Sequence, residues 1–174
     1  MSESKLYLAL MDQSKAVYYK KDCGEEYDIK KCQNSGVDLV TLAPEIVEAH
    51  SSVLIDLGVE VLHVDNSDPD APLEEKRRLP GLVFPRSSIG KYNLLLMNSV
   101  GVIDAGYTGT LKANVFNPTT KPSVIPAGTA LVQYVSFTGK PMEWKFINKI
   151  PDLCRQTKRG GKGFGSTGIS GTSA

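Results

Sequence analysis

GVIDAGYTGTLKANVF, residues 101–116, sets the grammar of this chain. An acid, Asp104, ends a short apolar run. Glycines follow at 106 and 109, with Tyr107 between them, and a second apolar run extends from Thr110 to Phe116. Branched residues, a turn-forming acid with glycines, then branched residues again predict a strand, a tight turn and the next strand. The same pattern extends outward in both directions. Runs rich in β-branched and apolar residues cover Lys5–Leu10, Val37–Thr41, Ser52–Asp56, Val59–Val64, Gly81–Phe84, Val100–Ile103 and Ala130–Phe137. Ten prolines lie scattered between residues 44 and 151. Proline is poorly tolerated inside helices and central strands, so long helices are not expected. Many short strands punctuated by turn residues predict an all-β sandwich or barrel. A short helix is expected over Pro44–His50, with Pro44 in its first turn.

The 174 residues suit one domain with enough chain to bury a core. Twenty Lys and Arg against 19 Asp and Glu leave a net charge of +1, which argues against a generic nucleic-acid binder. No apolar run approaches the length of a membrane span. The start, MSESKLYLALMDQSK, has no basic leader region, so the expectation is a soluble, intracellular protein with Cys23, Cys32 and Cys154 reduced. His50 and His63 stand far apart, and the zinc motifs of deaminases and metalloproteases are missing. Asp65–Arg78 is polar and charged and reads as an exposed loop. Residues 158–174 hold six glycines and read as a flexible tail. Asp152 against Arg155, Lys158, Arg159 and Lys162 gives residues 151–174 a net +3, on a body of −2.

Several stretches carry candidate chemistry. The tail contains Gly163-Phe164-Gly165-Ser166-Thr167-Gly168, yet too little chain follows for the helix that a dinucleotide fold requires. Its glycines, with Arg159, Lys162, Ser166 and Thr167, would instead make an anion cradle, or else a bland tail. Arg86, Ser87 and Ser88 after Pro85 would cap a helix or clamp a phosphate. Asp104 beside Tyr107 is a turn residue, or a carboxylate that orients a water near a stacked ligand. Asp38 follows a glycine in SGVDL, and Gln133 is one amide on a strand.

In order, GVDL, PRSS, N-x-x-GVID-x-x-Y-x-G, G-x-x-L-V-Q and RGGKGFGSTG resemble the five motifs of the homotrimeric dUTPase family, across residues 36–168. The resemblance implies a distorted jelly-roll subunit (residues 1–154) with a glycine-rich arm (155–174), assembled as a homotrimer. The arm of one subunit would close a site formed by others. It implies hydrolysis of dUTP to dUMP and pyrophosphate with Mg²⁺, and no nucleic-acid or membrane partner. By the same resemblance Asp104 activates the water and Tyr107 packs on the deoxyribose. Asn98, Gly101, Val102, Ile103 and Lys112 surround the uracil. Arg86, Ser87 and Ser88 contact phosphates. Asp38 reaches the metal through water, and Gln133 holds waters nearby. Arg159, Ser166 and Thr167 clamp the γ-phosphate, Gly165 binds substrate, and Phe164 closes over the base.

The chain departs from the family pattern at Val37, Ser35, Thr108 and Lys162. A dCTP deaminase of the same fold needs a Glu where this chain has Asn114, which cannot shuttle a proton. A non-catalytic binding protein on the scaffold is the other alternative. Asp104, Tyr107, Arg159 and Phe164 argue against it, because packing alone does not demand them.

Overall fold

The computed structural model describes residues 4–19, 34–161 and 163. Twelve strands run in chain order: β1 Ser4–Leu10, β2 Gly36–Val40, β3 Glu45–Val47, β4 Ser52–Asp56, β5 Val59–Asp65, β6 Gly81–Pro85, β7 Leu95–Leu96, β8 Gly101–Ile103, β9 Lys112–Phe116, β10 Ser123–Ile125, β11 Ala130–Ser136 and β12 Glu143–Phe146. One four-residue helix, α1 (Asp152–Arg155), and two 3-10 turns (Gln13–Tyr18 and Ser87–Tyr92) are the helical content of the described residues. The strands form four small sheets, ordered β12-β1-β5, β10-β3, β2-β11-β6-β8 and β4-β9-β7. The chain is thus all-β, as the strand grammar predicts, in keeping with the jelly-roll-like fold that the family resemblance implies.

Strand β1 explains its own composition. It is flanked on both edges, parallel to β12 and antiparallel to β5. It is also covered on both faces. Leu6, Leu8 and Leu10 join the main core with Leu39, Ile55, Leu57, Leu131 and Tyr134, while Tyr7 and Ala9 pack with Leu62, Val64, Ile150 and Cys154. A strand buried on both faces reads as a continuous apolar run, as KLYLAL does. Cys154 is free.

One expectation fails. Residues 45–47 are not helical; they pair as β3 with β10, Val47 opposite Ser123 and Glu45 opposite Ile125. Ile46 and Val47 are β-branched and suit a pleated surface, and β10 supplies the missing partner. His50 then takes a left-handed conformation (φ 52°) beyond the strand. The 65–78 segment is a loop, as expected, closed where the Asp65 amide donates to the Arg77 carbonyl (2.8 Å) and the Leu79 amide to the His63 carbonyl (2.8 Å).

Candidate active site

Strand β8 pairs with β6 on one side only, Gly101 opposite Val83 and Ile103 opposite Gly81, so it forms an edge of its sheet. Against it, before β9, lies a pocket of about 260 Å³. Asn98, Gly101, Val102, Ile103, Asp104, Tyr107, Lys112 and Arg159 all line it, with Val83, Leu96, Leu111 and Gly163. Sequence reading placed the first eight of these in one site, and the fold brings them together. The volume is below the roughly 300–1,000 Å³ of complete ligand sites, so the pocket suits part of a nucleotide. An edge strand presents main-chain donors and acceptors, the groups that can read the polar edge of a planar base.

The turn that carries Asp104 is held from several sides. The Tyr107 amide donates to the Asp104 carbonyl at 2.9 Å, closing the turn. The Tyr107 hydroxyl donates to the Thr110 carbonyl at 2.8 Å. Burial pushes the Tyr107 phenol above its ordinary pKa, so it stays a neutral donor. Thr110 in turn donates its hydroxyl to Asp56 at 2.8 Å, and Lys112 lies 3.7 Å from the same carboxylate. Gly109 is required by close approach: a Cβ there would meet the Tyr107 hydroxyl at 2.7 Å and the Gly161 Cα at 3.2 Å.

The start of the C-terminal segment lies along this turn. Thr157 donates its hydroxyl to the Gly106 carbonyl, the Gly160 amide donates back to Thr157 (3.1 Å), and the Thr108 amide donates to the Gly160 carbonyl (3.2 Å). Arg159 Nη1 reaches Asp104 Oδ2 at 2.7 Å. Within the chain, therefore, the start of the C-terminal segment borders its own Asp104. Both side chains are partly exposed, 34% and 47%, so the ion pair adds about 0–1 kcal/mol and is readily exchanged for another anion. Phe164, Gly165, Ser166 and Thr167 lie outside the described residues.

The remaining predicted residues form a second cluster. Asp38 on β2 sits opposite Gln133 on β11, and Gln133 sits opposite Phe84 on β6. Gly36 leaves the space that the Gln133 side chain fills; a Cβ there would collide with the amide oxygen. Arg86 pairs with Asp38. Ser88 donates to the Ala130 carbonyl at 2.6 Å, and Ser87 is exposed. Arg86 is the residue before the 3-10 turn, and no side chain caps that turn. The capping alternative for PRSS is thereby set aside.

The two clusters are not adjacent. Arg86 follows the C-terminal end of β6, whereas Asp104 follows the end of β8 that lies beside Gly81 at the other end of β6. Six residues at a strand rise of about 3.3 Å put them about 20 Å apart.

A family model described as dUTPase matches residues 27–168. The chain belongs to the dUTPase family. It is 36% identical over 135 residues to the deoxyuridine 5′-triphosphate nucleotidohydrolase of Escherichia phage T5, covering 78% of each chain. It is 33% identical over 138 residues to the protein of that name from Pasteurella multocida, covering 78% of this chain and 82% of the relative. With the one from Wigglesworthia glossinidia brevipalpis it shares 30% over 154 residues, 85% of this chain and 92% of the relative. For a dUTPase-family chain, sequence reading missed Asp56, Thr110 and Thr157, which hold the turn and carry no motif of their own. Only an acid at a strand end (Asp56) and hydroxyls flanking the glycines hinted at them.

Proposed function

We propose that this chain hydrolyses dUTP to dUMP and pyrophosphate; its relatives are named as deoxyuridine 5′-triphosphate nucleotidohydrolases. The observation that carries the reading is Asp104, a carboxylate at the mouth of a nucleoside-sized pocket, with Tyr107 as a wall and Arg159 beside it. In this reading the base sits against the main-chain edge of β8. A site built to hydrogen-bond one pyrimidine edge leaves groups unpaired when cytosine enters, and that mismatch is costly. Tyr107, fixed at both its amide and its hydroxyl, packs on the deoxyribose and leaves no room for a 2′-hydroxyl. Asp104 accepts a proton from the water that attacks the α-phosphorus in line, an assistance of about 10²–10⁴ in rate. Arg159 passes from Asp104 to the polyphosphate as substrate arrives, which frees the carboxylate for the water.

Among the described residues no three His, Cys, Asp or Glu side chains converge to hold a metal. Asp38 and Asp104 each engage an arginine instead. Such a sparse donor set fits Mg²⁺ bound mostly by substrate phosphates and water, with Asp38 reached through water. When bound, the ion neutralises phosphate charge.

The assembly proposed is a homotrimer. Along one chain Arg86 lies about 20 Å from Asp104, which supports a second copy supplying the phosphate half of each site. Exposed apolar side chains support such contacts: Ile46 and Val124 lie opposite each other on β3 and β10, and Leu54 and Leu95 are exposed on the β4-β9-β7 sheet. Residues 1–154 form the barrel in this reading. Residues 155–174 are the arm, ordering over a pocket its root already borders and excluding bulk water. We place the protein inside the cell, where dUTP hydrolysis limits uracil in DNA and supplies dUMP for thymidylate synthesis.

Pyrophosphate release from dUTP, dCTP, dTTP and UTP with Mg²⁺ tests the reading. Turnover of dUTP far above the other three is expected. No turnover of dUTP, or equal turnover of dTTP, overturns it.

A further inference from the structure

We propose that Arg78, the last residue of the charged 65–78 loop, is a positioning residue for the turn that carries Asp104 and Tyr107. The inference rests on the site reading above. Arg78 Nη2 donates to the Tyr107 carbonyl at 2.9 Å, and Nη1 donates to the Cys154 carbonyl at 2.6 Å. One guanidinium thus ties the turn to α1, the element from which the arm departs. Its own backbone is fixed by a bridge to Val64 of β5.

The electrostatics set this arginine apart. Among the described residues no carboxylate forms an ion pair with it. Its Nε is buried without a partner there, and burial pushes its pKa below the ordinary value. A partly buried cation without a counter-charge adds less to stability than a paired one. Such a side chain contributes geometry instead. The planar fork is suited to it, because two donors at fixed spacing hold two carbonyls in a fixed relation. Lysine presents one nitrogen and cannot reproduce the fork.

The effect on the site follows directly. The Tyr107 amide, hydroxyl and carbonyl are each bonded, to Asp104, Thr110 and Arg78. Releasing the carbonyl leaves the peptide between Tyr107 and Thr108 held only by the Thr108 amide, at 3.2 Å from the Gly160 carbonyl. The weaker hold lets the tyrosine ring shift and loosens the Asp104 carboxylate at the start of the same turn.

Steady-state kinetics of the full-length assembly on dUTP and on UTP, with thermal melting alongside, test the inference. Arg78→Met should lower kcat for dUTP about 10- to 100-fold, the scale of a misplacement near 1 Å. KM should move less, and the dUTP-to-UTP preference should narrow. Arg78→Lys, which keeps the charge and the stem, should fall between Met and wild type. Wild-type kcat and preference in Arg78→Met would overturn the inference. So would a loss equal for both nucleotides and matched by lower thermal stability, which marks a purely structural residue. Should Arg78→Met not fold, Arg78→Lys decides: a wild-type kcat and preference in it overturn the inference. If the wild type does not turn over dUTP, the functional reading fails instead.

Discussion

Gly109→Ala puts one methyl group where the site has no room for it. The new Cβ would sit 2.7 Å from the Tyr107 hydroxyl and 3.0 Å from its Cζ, with the Gly161 Cα at 3.2 Å behind it. To regain ordinary contact at 3.4 Å, the hydroxyl must back off by about 0.7 Å. That shift is enough to stretch its 2.8 Å bond to Thr110 beyond useful hydrogen-bond length. The lost bond costs about 0.5–1.5 kcal/mol, and overpacking adds about 1–3 kcal/mol. A stable fold survives that sum. Catalysis is more sensitive, because misplacement near 1 Å costs about 100-fold. Gly109→Ala is therefore expected to lower kcat/KM for dUTP by about 10- to 100-fold and to narrow the preference over UTP, with a moderate drop in melting temperature. Pyrophosphate release on both nucleotides, with melting curves, measures it. Wild-type kcat/KM and preference would refute the claim that Tyr107 is held by this contact.

Asp104→Asn should lower kcat by about 10²–10⁴ while the melting temperature stays near wild type, because the half-exposed pair with Arg159 adds little to stability; wild-type turnover would reject the base assignment. Removing residues 159–174 should cut kcat/KM sharply and leave the oligomer intact on sizing; undiminished activity would count against the arm. His63 is buried, donates from Nδ1 to the Pro80 carbonyl (3.0 Å), and has its pKa lowered by desolvation. The unfolded chain then binds the proton more readily, so stability should be full above about pH 6.5 and fall as pH drops below it. Melting temperatures between pH 7.5 and 5 report this, and His63→Gln should flatten the trend.

The strands long enough to show composition were legible in the chain, from KLYLAL to ALVQYVS. Of those of two to four residues, only β8 was, within the run Val100–Ile103. β7 is two residues long, β10 lies between Pro122 and Pro126, and β12 follows Pro141. Too few residues lie between the breakers to establish a period, and pairing with distant partners creates these strands. The same cause turned 45–47 into a strand: its partner lies near residue 124, beyond any local signal. The pocket half of the site was legible because its residues cluster within 98–112 and Arg159. That it lies at the opposite end of β6 from Arg86 and Asp38 was not, because linear order is silent about which strand ends coincide. Arg78 was hidden for a related reason. Its partners are main-chain carbonyls, which leave no trace in side-chain spelling.

Hydrolysis of dUTP in ¹⁸O-water, with mass analysis of both products, bears most directly on the central claim. Water attack on the α-phosphorus, assisted by Asp104, predicts one ¹⁸O atom in dUMP and none in pyrophosphate. Label in the pyrophosphate, or release of dUDP and inorganic phosphate, would contradict the account.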